Sequence, residues 1–257
     1  MAGHSKWANI KRQKARVDAK KGKTFAQLSR AIIVAARQGI PDPDGNFQLR
    51  TAIEKAKAAG IPNDNIERAI AKGAGTYNDD SLNYESIRYE GYGIGGVAVL
   101  IEAFTEKRTR TAADLRSAFS KNGGNLGETG CVGWMFDQQG VVRLEGEVTN
   151  EEHLLEVALE GGAESYELSD DLEAPGAEIF TAVENVDALS QVLQGADFTV
   201  QDVERRWVPS TTVEITALEQ ARSLLKLMDA LEGLDDVQTV TANFEMAAEL
   251  MAAAIEP

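Results

Sequence analysis

The sequence predicts an α+β protein in which a small N-terminal three-helix domain precedes two ferredoxin-like α/β domains. Three observations carry this reading. Between residues 24 and 75 apolar side chains recur at helical spacing and glycines stop each run. Beyond residue 84 the pattern changes to β-branched strands mixed with helices. Helix-ending glycines then fall near 123, 161, 195 and 233, steps of 38, 34 and 38 residues. A plausible strand follows each. Four helices are too many for one face of a single small sheet, and two split-βαβ domains accommodate them. A helical repeat array is excluded, because the units contain strands and share no motif.

In chain order, the first helix carries Phe25, Leu28, Ile32 and Ala36 on one face and stops at Gly39 and Pro41. Asn46 is placed to cap the second, with Leu49, Ile53 and Ala56 as its stripe and Gly60 at its end. In the third, Asp64 and Glu67 form a capping-box-like pair ahead of Ile70, and Gly73 closes it. The stretch GAGTYNDDSLN reads as a linker. GGVAVLIEAF is a strand, and Thr111 is read as the cap of a helix carrying Leu115, Ala118 and Phe119. The later strands are CVGWMF, ESYELS, FTVQDVERRWV and DVQTVTANF.

With 257 residues the chain can build two or three cores. The lone Cys131 cannot close an internal disulfide, which points to a reducing compartment. No run approaches the roughly 18 apolar residues of a membrane span. A cytoplasmic protein without membrane partners is expected.

Charge is strongly polarised. Residues 1–75 hold 15 Lys or Arg and 6 Asp or Glu, a net of +9, whereas residues 76–257 hold 11 and 35, a net of −24. The stretch GHSKWANIKRQKARVDAKKGK, residues 3–23, concentrates eight cations against one Asp. Coiled into a helix it would point cations in nearly every direction, leaving Ile10 and Val17 as a thin apolar edge. Such a segment packs poorly by itself but suits a phosphate backbone, where each neutralised phosphate releases counterions. Trp7 is placed to stack on an exposed base. The expected nucleic-acid contacts are Lys6, Trp7, Lys11, Arg12, Lys14, Arg16, Lys20, Lys21 and Lys23, with Arg30 and Arg37 extending the patch. Lys107, Arg108 and Arg110, beside a helix start, form a secondary contact candidate.

Two motifs fail on context. GYGIGG, residues 91–96, spells a dinucleotide fingerprint, but a strand follows it where a helix is required, so it reads as a bend between strands. DPDGN, residues 42–46, resembles a calcium loop but has Phe47 where the turn glycine belongs and Ile53 where the bidentate Glu belongs. With only His4, His153 and Cys131 as soft ligands or nucleophile partners, no catalytic or metal constellation assembles. No enzyme activity, cofactor or small-molecule substrate is expected.

The segments AGHSKWANIKRQKARVDAKKGKTF, AIEKAKAAGIPNDNIERAIAKG, YEGYGIGGVAVLIEA and AADLRSAFSKNGGNLGETGCVGWMF together resemble the YebC/PmpR family, closely to Phe136 and more loosely to about Phe244. The resemblance implies three domains, with the third inserted in the second: 1–75 for the arm and helical domain, 80–136 plus 206–245 for the middle domain, 137–205 for the insertion. It also implies a DNA-binding transcriptional regulator, or alternatively a ribosome-associated factor that binds ribosomal RNA and assists translation through proline-rich stretches. Ile94 stands where the family usually has Pro, and Cys131 where Ser is usual. The charges do not distinguish DNA from ribosomal RNA, because both present phosphate.

Overall fold

The computed structural model describes residues 21–76, 84–148, 150–169 and 175–255. The chain divides into two compact units, one formed by Phe136–Ser210 and the other by the described residues on either side of that segment.

The larger unit begins with three helices, α1 (Lys21–Gln38), α2 (Phe47–Ala58) and α3 (Asn63–Gly73). Their stripes meet in one cluster that includes Ile32, Ala36, Leu49, Ile53, Ile66 and Ala69. Asn46 caps α2 as its sequence position implies, accepting the Leu49 N–H at 3.1 Å. The start of α3 differs from expectation. Pro62 occupies the cap without a side-chain bond, because proline's fixed φ already suits a helix entry, and Ile66 and Ala69 are buried where Ile70 is only half so. DPDGN is a turn closed by Gly45 N–H to Asp42 O at 3.2 Å.

A four-stranded antiparallel sheet follows, built from β1 (Glu85–Tyr92), β2 (Ala98–Thr105), β3 (Asn125–Leu126) and β9 (Val237–Ala242) in the order β3-β1-β2-β9. GYGIGG ends β1 and makes a short 3-10 turn into β2, with Gly95 and Gly96 at φ +73° and +79°. It is therefore a bend between strands. α4 (Arg108–Lys121) and α7 (Leu218–Glu232) cover the sheet through Leu115, Phe119, Leu224, Leu227, Met228 and Leu231, which pack with Val99 and Ile101. The short strands β8 (Val213–Glu214) and β10 (Phe244–Glu245) pair in parallel, and α8 (Ala248–Ile255), which the sequence reading did not anticipate, places Met251 in the same core.

Thr111 does not cap α4. The helix starts three residues earlier, after Lys107, and the Thr111 hydroxyl turns inward to a buried carboxylate. CVGWMF is also not a strand. Its first five residues form a loop and a 3-10 turn, and pairing begins only at Phe136.

The second unit contains β4 (Phe136–Glu145), α5 (Glu151–Glu160), β5 (Ser165–Leu168), β6 (Gly176–Thr181), α6 (Val186–Gly195) and β7 (Val200–Pro209). Its strand order, β5-β6-β4-β7, is the split-βαβ arrangement: each helix connects two strands with a third between them. The sheet of the larger unit reaches four antiparallel strands by a different route, opening on the β1–β2 hairpin. Among the described residues no helix is long and apolar enough to cross a membrane.

Gly73 tests the packing of α1 on α3. A Cβ there would lie 2.5 Å from Ile33 O and 2.6 Å from Ala36 Cβ. Gly73→Ala gains up to about 1 kcal/mol of helix propensity but forces backbone apart at a cost of about 1–3 kcal/mol. The expected result is a lowered thermal midpoint in calorimetry; a raised one would show that the two helices can separate freely.

Candidate nucleic-acid interface

α1 presents two faces. One, carrying Ile32, Ile33, Ala35 and Ala36, closes the three-helix core. The other runs through Gln27, Arg30, Val34 and Arg37, spaced three and four residues apart, and turns toward the β1–β2–β9 sheet. Gln27 Nε2 donates to Val237 O at 2.8 Å, Arg30 donates to Asp235 O, and Arg37 donates to Tyr84 O at 3.3 Å. The Arg30 guanidinium also lies over the Tyr84 ring, 5.6 Å from its centroid. The basic stripe of α1 thus fastens the helical domain to the sheet.

The other end of this fastening is Asp236, in the turn between α7 and β9 and only 5% exposed. Arg110 Nη2 donates to its two oxygens at 3.1 and 2.9 Å. Thr111 and Thr105 hydroxyls donate to Oδ2 at 2.8 and 3.2 Å. Arg30 Nη1 stands 3.6 Å from Oδ1. Burial pushes this carboxyl up, but the Arg110 and threonine hydrogen bonds outweigh it and hold the group below its ordinary value of 3.8. The backbone takes part too, with Phe104 N–H donating to Asp236 O at 2.8 Å. One residue therefore joins α1, β2, α4 and β9.

A second buried carboxylate, Glu90 on β1, shapes the loop ahead of β4. It accepts N–H groups from Gly130 at 2.9 Å, Val132 at 2.7 Å and Gly133 at 2.7 Å. Burial raises this group, and the three backbone bonds more than reverse it, so Glu90 titrates below its ordinary range. Tyr92 adds its hydroxyl to Cys131 O at 2.9 Å. Burial and the Glu90 charge push the Cys131 thiol up, away from nucleophilic chemistry. The loop so held presents Trp134 with 70% of its surface exposed.

Of the residues predicted to contact nucleic acid, Lys6, Trp7, Lys11, Arg12, Lys14, Arg16 and Lys20 lie outside the described residues. Lys21 and Lys23 fall in the first turn of α1. Arg30 and Arg37 lie on the stripe facing the sheet. Lys107 is exposed at the start of α4, Arg108 pairs with Glu85 and Arg110 with Asp236. Asp236, Glu90 and Trp134 were not singled out from sequence. The glycines of GETGCVG, a run able to offer adjacent backbone N–H groups to a carboxylate, were the one available signal for Glu90. Among the described residues no group of three His, Cys, Asp or Glu side chains is arranged to hold a metal ion.

Helical domain, hairpin-opened sheet and a separate split-βαβ unit define a three-part α+β protein whose cations are gathered at its N-terminal end. The family model for the TACO1/YebC N-terminal domain matches residues 5–76, and that for the TACO1/YebC second and third domain matches residues 84–244. The chain belongs to the TACO1/YebC family. It is 72% identical to a probable transcriptional regulatory protein of Rippkaea orientalis, over 98% of this chain and 99% of that one. A probable transcriptional regulatory protein of Nostoc punctiforme is 71% identical, over 99% of this chain and all of its own. The crystal structure of a conserved hypothetical protein from Aquifex aeolicus superposes with a TM-score of 0.80 at 44% identity, covering 91% of this chain and 93% of that one.

Two outcomes follow from the buried carboxylates. Asp236→Asn should cost about 2–3 kcal/mol in denaturant unfolding, less than the 3–5 kcal/mol of a fully buried pair because Arg110 is half exposed. Because folding lowers both carboxyl pKa values, the unfolded chain takes up protons first as pH falls. Their stabilisation is complete above about pH 5 and drains away as pH drops through the lowered folded values. Glu90→Gln should flatten that acid limb in a pH series of thermal midpoints; an unchanged limb would show that Glu90 contributes nothing there.

Proposed function

We propose that this protein is a non-enzymatic regulator of gene expression that binds nucleic acid through its N-terminal basic segment, as a DNA-binding transcriptional regulator. One observation carries the reading: eight Lys or Arg against one Asp within residues 3–23 of a chain whose net charge is −15. Several cations among the described residues are partnered within the fold. Arg30 and Arg110 meet Asp236, and Arg108 meets Glu85, so the body neutralises the basic side chains at its helix-to-sheet contact. The N-terminal segment has no comparable supply of nearby acids in sequence. Lys6, Lys11, Arg12, Lys14, Arg16, Lys20, Lys21 and Lys23 contact phosphates in this reading, with Trp7 stacking on a base. Lys107 and the outer edge of Arg108 supply a secondary contact. The names of the relatives agree with a regulatory role.

Among the described residues no helix offers the grouped Arg, Asn and Gln that would announce base readout in a groove, so in this reading recognition rests on backbone and shape. Changing Lys11, Arg12, Lys14 and Arg16 together to Glu should reduce affinity for duplex DNA by at least a hundredfold in gel retardation while the circular dichroism spectrum stays unchanged. Retained affinity would place the site elsewhere. Cosedimentation of the unaltered chain with ribosomes, without retardation of duplex DNA at the same salt, would replace transcriptional control by the ribosomal reading.

A further inference from the structure

Residues 136–210 hold 18 Asp or Glu against three Arg, a net of −15, so the rest of the chain is neutral in sum. Within that unit two of the arginines are engaged in ion pairs across the sheet: Arg143 pairs with Asp202, and Arg206 with Glu178 and Glu204. Helix α5 contains no Lys or Arg. Its inner face is ordinary, with Leu154, Val157 and Ala158 buried. Its outer face is not. Leu155 and Leu159, one turn apart, are 40% and 62% exposed, and Glu151, Glu152 and Glu156 border them. The Tyr166 hydroxyl donates to Glu151 Oε1 at 2.6 Å, fixing one edge of the patch.

Helix stability explains only part of this arrangement. Asn150 caps α5, and acids in its first turn are favourable to the helix dipole. Glu156 and Glu160 sit in the C-terminal half, where a negative charge opposes that dipole and no Lys or Arg stands at i±3 or i±4, His153 being the one basic neighbour of Glu156. Two adjacent exposed leucines are likewise unfavourable in water. We infer that this face of α5 docks a basic, amphipathic segment of a partner protein, whose apolar side chains cover Leu155 and Leu159 while its Lys or Arg side chains meet Glu151, Glu152 and Glu156. Other occupants suit the charges badly. Nucleic acid and anionic lipid are repelled, and a second copy of the same face would set acid against acid. Long cationic side chains satisfy both halves of the surface, because their alkyl stems lie on leucine while their heads reach carboxylate.

The test is fluorescence anisotropy of the full chain with a labelled 18-residue helical peptide of leucine and lysine, its leucines spaced three and four apart. Leu155→Ser with Leu159→Ser should weaken binding at least tenfold, as should Glu152→Lys with Glu156→Lys. The same charge change at the exposed β4 positions Asp137 and Glu145 should weaken it less than threefold. Equal losses from the two charge variants would show a diffuse field without a site and overturn the inference, as would affinity indifferent to the leucines. Sedimentation provides a further arm: a dimer of the unaltered chain that the serine changes dissolve would make the occupant a second copy and also overturn it.

Discussion

A carboxylate shielded from water and surrounded by donors holds the larger unit together. Asp236 lies in a turn, the kind of element usually left at the surface, yet it is almost fully buried because Arg110, Thr111 and Thr105 occupy its lone pairs and Arg30 stands behind them. Desolvating a charge costs several kcal/mol unless such partners are present. Once they are, removing any one leaves the others mismatched. That makes the orientation of the helical domain on the sheet specific in a way that apolar contact alone would not be. Gln27 adds a neutral hydrogen bond and Arg30 a cation–π contact with Tyr84 along the same stripe of α1.

Glu90 applies the same physics within one sheet edge. Three backbone N–H groups converge on its side chain, so an irregular loop that would otherwise leave donors unsatisfied has a single acceptor at its centre. Both carboxylates titrate low, and both convert a loop into a fixed support. The unit formed by Phe136–Ser210 uses Arg206 and Glu178 in a similar manner on its own sheet, where Nη1 donates to Oε1 at 3.1 Å. Each unit thus sets a buried carboxylate against an arginine, Asp236 against Arg110 and Glu178 against Arg206.

Much of the fold was legible because it rests on local signals. The α1 and α2 stripes, the Asn46 cap, the glycine bend before β2 and the helices ending near 123, 161, 195 and 233 all follow from spacing and turn chemistry. What was not legible depends on partners distant in sequence. Thr111 looks like a cap in isolation, and only Asp236, 125 residues away, turns it inward. CVGWMF has strand composition, but Glu90 draws its N–H groups out of any ladder. Arg30 and Arg37 look like an extension of the basic segment, and only the fold shows that they bond Asp235 O and Tyr84 O. The proposed nucleic-acid site is written in the sequence as a charge concentration and no further, since phosphate contacts need no fixed motif.

The proposed phosphate contact rests on the excess of Lys and Arg within residues 3–23. The most direct measurement is the slope of log affinity for duplex DNA against log salt concentration for the unaltered chain. With eight cations available, and about 0.9 per neutralised phosphate, the account predicts a slope between about −4 and −7. A slope near zero, with affinity intact, would contradict it, because binding would then not run through charge.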